Sequence, residues 1–210
     1  MRIVAFVGAD GTGKTTQAKM LVGRLASQGH RAVYTRPAFL LFNPWGGVPG
    51  GRMGLAVSPR ALRIRTRARA SLLRRSLRSG VAMLLGYFYS LATYGMLRLR
   101  FRGEEFVVCD RFFYQYFYDI YGPGAANVAR CFPCPDLVFW LDGTATLIRS
   151  RTDDPLLFED GGAYVDSVID MYRKISPELG FRRISADSDP SAVGDAVWKD
   201  LVRVFPKEGG

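Results

Sequence analysis

The segment Gly8-Ala9-Asp10-Gly11-Thr12-Gly13-Lys14-Thr15 decides the reading of this chain. It matches the pattern G-x-x-x-x-G-K-[ST] at every fixed position, and Thr16 follows it. Glycines at these places let successive backbone N–H groups turn inward around phosphate oxygens, and a helix starting near Lys14 adds its positive end. Lys14 then reaches the outer phosphates, and the Thr15 hydroxyl is placed to hold a magnesium ion. The pattern carries weight because of its context. Residues 2–7 form a short apolar run that reads as a buried strand, and apolar residues at Ala18, Leu21, Val22 and Leu25 give the next segment a helical face. A glycine turn without a ligand is the bland alternative, and that context argues against it.

Further short apolar runs cover residues 32–35, 106–109 and 137–141, with a fifth candidate at 181–184. The third is followed at once by Asp110 and the fourth by Asp142. Helical segments are expected over 15–28, over 59–78 behind a Ser58-Pro59 start, over 144–151, and from Asp189-Pro190 to about 205. Strands alternating with helices imply an α/β fold, a parallel sheet covered on both faces. In such sheets ligands bind beyond the C-terminal strand ends, where Gly8, Arg36, Asp110 and Asp142 all fall. No repeat or domain boundary interrupts the 210 residues, so a single domain is expected.

The charge of +10 is unevenly distributed. Residues 11–103 contain no Asp or Glu but 17 Lys and Arg. A basic half suits polyanions: a nucleotide, a nucleic acid or an anionic membrane surface. The arginines of 60–78 do not fall on one helical stripe, since alternate residues spread around the axis, and this weakens the nucleic-acid reading. The uncharged stretch 79–97 approaches the length of a membrane span, but its tyrosines and hydroxyls favour a helix buried between sheet and partner surface, with no transmembrane segment. Three cysteines are too few for a disulfide framework and point to a reducing, cytoplasmic setting. The pair Cys131 and Cys134 has redox or zinc spacing, but a structural role is the simpler reading.

Asp110-Arg111 joins a carboxylate that can orient a metal's water shell to a guanidinium that can clamp a phosphate. Arg149 and Arg151 precede a loop rich in Asp and Gly, and arginines there can close over transferring phosphates. A solvated helix face is their plainer reading.

The order of these parts resembles the thymidylate kinase family. Gly8 to Thr16, Arg36-Pro37, Asp110-Arg111-Phe112, and Pro135-Asp136 leading into the fourth strand, with Arg149 and Arg151 behind it, carry the resemblance. It implies a P-loop three-layer sandwich with a five-stranded parallel sheet, a homodimer, and a lid at about 149–162. The implied reaction is phosphoryl transfer from ATP with Mg2+ to dTMP. By position, Asp10 would face the acceptor sugar, Arg36 and Arg111 would hold the acceptor phosphate, Asp110 would serve at the metal or acceptor oxygen, and Arg149 and Arg151 would act as lid arginines. The chain departs from the family where an arginine usually reads thymine: that place falls near Tyr89 and Ser90, and Tyr87, which can stack on a base, is the residue offered instead.

Overall fold

The computed structural model describes residues 1–37, 78–151, 158 and 162–206. The helix expected over 59–78 and most of the lid lie outside these residues, except Arg78, which opens a later helix.

Strand β1 (Arg2–Val7) is apolar because both faces are covered: Ile3, Val4, Ala5 and Phe6 have no exposed surface. It runs into the glycine segment and helix α1 (Lys14–Ser27). This helix starts one residue earlier than expected, at Lys14 itself, and ends before the left-handed Gly29. Strand β2 (Ala32–Thr35) follows as expected.

Helix α2 (Arg78–Arg100) contains the uncharged stretch and is longer than it. Ser90, Thr93, Tyr94 and Leu97 are buried, whereas Leu84, Leu85 and Phe88 are more than half exposed. The buried hydroxyls of Ser90 and Thr93 donate to the carbonyls of Gly86 and Tyr89 one turn back, so they bring no unpaired polar group into the core. No described helix is long and apolar enough to cross a membrane.

Strand β3 (Phe106–Asp110) includes Asp110 as its last residue, one beyond the expected end. Helices α3 (Phe113–Tyr121) and α4 (Ala125–Arg130) come next, then β4 (Leu137–Asp142) and α5 (Ala145–Arg151). Helix α6 (Ala163–Glu178), β5 (Arg182–Ser185) and α7 (Pro190–Val204) complete the described elements. The fifth strand lies one residue later than the apolar pattern suggests. Asp189 caps α7, accepting from the Ser191 N–H at 2.9 Å.

The five described strands are all parallel, in the order β2-β3-β1-β4-β5. β1 is central, with β3 and β4 on either side. The chain therefore switches direction across the sheet at β1, and the crevice at such a switch is where doubly wound sheets bind ligands. Two apolar cores flank the sheet. One, around Phe112, Phe113, Phe117 and Phe132, packs under α2 to α4 and α6; the other, around Leu21, Leu25 and Val197, lies under α1 and α7.

Candidate active site

The loop between β1 and α1 is shaped by backbone demands that only glycine meets cheaply. At Gly8 φ is +137°, and a Cβ there would lie 2.5 Å from the Leu141 carbonyl oxygen. Gly13 takes φ 91° at the N-cap of α1, with no side chain capping the helix and no acidic residue in its first turn. The first N–H groups of α1 are thus not satisfied by a side-chain cap, the arrangement that suits a phosphate. Lys14 begins the helix almost fully buried, its amine donating to the carbonyls of Gly8 at 2.9 Å and Ala9 at 2.6 Å. Burial, and next the Arg111 guanidinium, hold its pKa well below the ordinary lysine range.

Thr15 and Asp110 meet across the crevice: the Thr15 hydroxyl donates to Asp110 Oδ2 at 2.7 Å. The same oxygen accepts from the Tyr34 hydroxyl at 2.6 Å and from Arg36 Nε at 2.7 Å. Asp110 has no exposed surface, and its Oδ1 has no hydrogen-bond partner among the described residues. Burial pushes its pKa up, but donation by Tyr34, Thr15 and Arg36 outweighs this and holds it below the usual carboxylate range. The Tyr34 hydroxyl is pushed up to about 12, first by burial and then by its bond to Asp110. An ionised carboxylate with one oxygen unclaimed, beside a threonine hydroxyl, is the hard-oxygen donor set that Mg2+ prefers. The residues present fit that ion.

Arg111 is the one non-glycine residue with positive φ, 73°, among the described residues. Such backbone is costly and recurs where side-chain placement matters. Its N–H donates to the Phe6 carbonyl at 3.0 Å, anchoring the turn to β1, and its guanidinium pairs with Asp10 at 2.7 Å. Asp10 also lies 3.5 Å from the Lys14 amine. Lys14, Arg36 and Arg111 thus gather around two aspartates at the strand ends.

A cavity of about 410 Å3 opens over the loop. Gly11, Thr12, Gly13, Lys14, Thr15 and Thr16 line one side, with Arg111 and Arg151. The opposite wall is Ala186, Ser188, Pro190 and Val193. Arg151 is held there by donating to the Ala186 carbonyl at 2.9 Å. Arg149, its expected companion, stacks over the Phe158 ring at 4.8 Å and does not line this cavity. Tyr87 donates its hydroxyl to the Cys131 carbonyl at 2.9 Å and packs edge-on against Phe132; it too is outside the cavity lining.

A larger cavity, about 640 Å3, lies beyond β4 and β5 and is lined by Asp142, Asp166, Asp170 and Asp187 with Arg173 and Arg183. Its four carboxylates disfavour a polyanion, so the charge of the walls, not the volume, makes the smaller cavity the better candidate for one. Tyr34 and the wall from Ala186 to Val193 are additions to the expected site residues. Tyr34 sits in a strand whose pattern shows only burial. Ala186 follows β5 without a motif of its own.

No protein-family model matches the chain. Curated relatives do. A protein named thymidylate kinase from Bradyrhizobium diazoefficiens is 27% identical over 95% of this chain and 88% of its own length. One named probable thymidylate kinase from Sulfurisphaera tokodaii is 25% identical over 89% of this chain and 88% of its own length. A thymidylate kinase from another Bradyrhizobium is 31% identical over a shorter region, 53% of this chain and 42% of its own length. With the phosphate loop, the Asp110-Arg111 pair and the five-stranded parallel sheet already in place, the chain is similar over most of its length to proteins named thymidylate kinase.

Proposed function

We propose that the protein transfers the γ-phosphoryl group of ATP to dTMP, giving ADP and dTDP, with Mg2+ as its metal. The observation that carries this reading is the meeting of Thr15 with Asp110 at 2.7 Å, flanked by Arg36 and Arg111, at the mouth of the phosphate loop. The names and identities of the relatives support it.

In this reading the ATP phosphates lie on Gly11 to Thr16 and against Lys14, and Arg151 neutralises charge on the transferring group. Gly8, Ala9 and Asp10 shape the loop beneath. Thr15 and Asp110 would hold Mg2+, which would supply neutralising charge for the phosphates. The acceptor approaches from the Arg36 and Arg111 side, with its phosphate clamped by their forks and its sugar facing Asp10. Its phosphate oxygen attacks in line, and the protein contributes position and charge, not covalent chemistry. Arg149 joins when the lid closes, and Tyr87 offers a stacking face. A single domain acting as a cytoplasmic homodimer completes the proposal; the exposed row Leu84, Leu85 and Phe88 on α2 supports a second copy there.

The composition of helix α2 favours a wider acceptor range. It carries no arginine between Arg78 and Arg98, so no guanidinium on it reads the base at Tyr89 and Ser90. Stacking and hydroxyls discriminate weakly. The test is a phosphoryl-transfer assay with ATP and a panel of monophosphates. dTMP is the expected acceptor, with dUMP within about a hundredfold in kcat/KM. Turnover of a non-nucleotide acceptor alone would replace this reading by another kinase of the same fold.

A further inference from the structure

Arg36 leaves the end of β2 and turns across the mouth of the site. Its Nε donates to Asp110 Oδ2 at 2.7 Å and its Nη2 to Thr15 Oγ1 at 3.0 Å. These are the two side chains that would hold the metal. A guanidinium therefore spans the oxygens that a divalent cation has to reach, and supplies the positive charge that the buried carboxylate requires. Two cations so close to one carboxylate repel each other. Arg36 is about two-fifths exposed, so it can swing away without unpacking the core. Tyr34, from the same strand, bonds to Asp110 independently and can hold the carboxylate in place once Arg36 has left.

We propose that Arg36 is a two-position residue. It occupies the metal's donors until a metal-bound nucleotide displaces it, and the displaced guanidinium then grips the acceptor phosphate. Metal and acceptor thus promote each other's binding, because each favours the conformation in which Arg36 has left Asp110. The acceptor half rests on the proposed function; the competition with metal does not.

The test uses the full chain, Mg2+, ADP and dTMP, with binding followed by calorimetry. In wild type, dTMP binds about fivefold or more tighter with Mg2+ and ADP than with ADP and a chelator, and dTMP lowers the half-saturating Mg2+ concentration by the same factor. In Arg36→Gln, that Mg2+ concentration falls by about three- to tenfold, and the coupling shrinks to within about twofold. Arg36→Lys keeps the charge but not the two-pronged fork, and it also lowers the Mg2+ concentration. Lysine behaving as wild type would mean that charge alone acts, and would overturn the parked-fork account. An unchanged or higher Mg2+ requirement in Arg36→Gln overturns the competition outright. Failure of wild type to bind dTMP at all would defeat the acceptor reading instead, while the Mg2+ titrations still decide the competition.

Discussion

Thr15 and Asp110 are 95 residues apart in sequence, and their side chains meet at 2.7 Å. One stands in the first turn of α1, the other at the end of β3, next to β1 in the sheet. They meet because parallel pairing of β1 with β3, Phe6 opposite Asp110, brings that strand end beside the phosphate loop.

Lys14→Ala is expected to cut kcat to below about a tenth of wild type, since charge neutralisation of this kind contributes several kcal/mol. The melting temperature should stay within about 5 °C, because relief from burying a cation offsets the missing hydrogen bonds to Gly8 and Ala9. Steady-state kinetics and a thermal melt on one preparation check both halves.

Asp110→Asn keeps the shape of the side chain and removes its charge. Thr15, Tyr34 and Arg36 then face a neutral acceptor, and the hard-cation site loses its anion. The expected result is a fall in kcat/KM of about a hundredfold or more, with a raised Mg2+ requirement for ADP binding. Normal Mg2+ titration in this variant would remove Asp110 from the metal site.

The two arginines of α5 should behave differently. Arg151 lines the phosphate cavity and is tied to Ala186, whereas Arg149 stacks on Phe158. Arg151→Ala is expected to lower kcat by about tenfold or more, and Arg149→Ala by clearly less. Equal losses would place both over the phosphates during transfer, and two normal values would leave them as a solvated helix face.

Asp189 gives a pH test of the α7 cap. The hydroxyl and then the N–H of Ser191 hold its pKa below the usual carboxylate range. A folded pKa below the unfolded value, about 3.9, means a stabilisation fully present above that value and lost as pH falls through the folded pKa. Asp189→Ala should therefore melt below wild type at neutral pH, and the gap should close as the pH falls below the ordinary carboxylate range. A gap that persists in acid would mean that the loss is not the charged cap.

Strands β1, β3 and β4 are legible in the sequence because each is an apolar run that stops at a glycine or an aspartate, and burial on both faces leaves no alternation to misread; β5, Arg182–Ser185, is mostly exposed and its bounds are correspondingly harder to read. The phosphate loop is legible for the same local reason: its backbone needs glycines at fixed spacing. Helix α3 is not, since six of the nine residues of Phe113–Tyr121 are aromatic, a composition that suits a strand as well as a helix. Tyr34 escapes a sequence reading because its role depends on the pairing of β2 with β3, Tyr34 opposite Val108, which places it near Asp110. Arg149 and Arg151 look equivalent in sequence, and only the positions of Ala186 and Phe158 separate them. The left-handed backbone of Arg111 has no signature in the residue type at all.

The most direct measurement follows phosphorus in a reaction of the purified chain with ATP, Mg2+ and dTMP, by 31P NMR. The account predicts that ADP and dTDP appear in equal amounts, that a chelator stops both, and that Lys14→Ala gives neither at a comparable rate. Hydrolysis of ATP with dTMP left unconsumed, or no dTDP at any Mg2+ concentration, would contradict it.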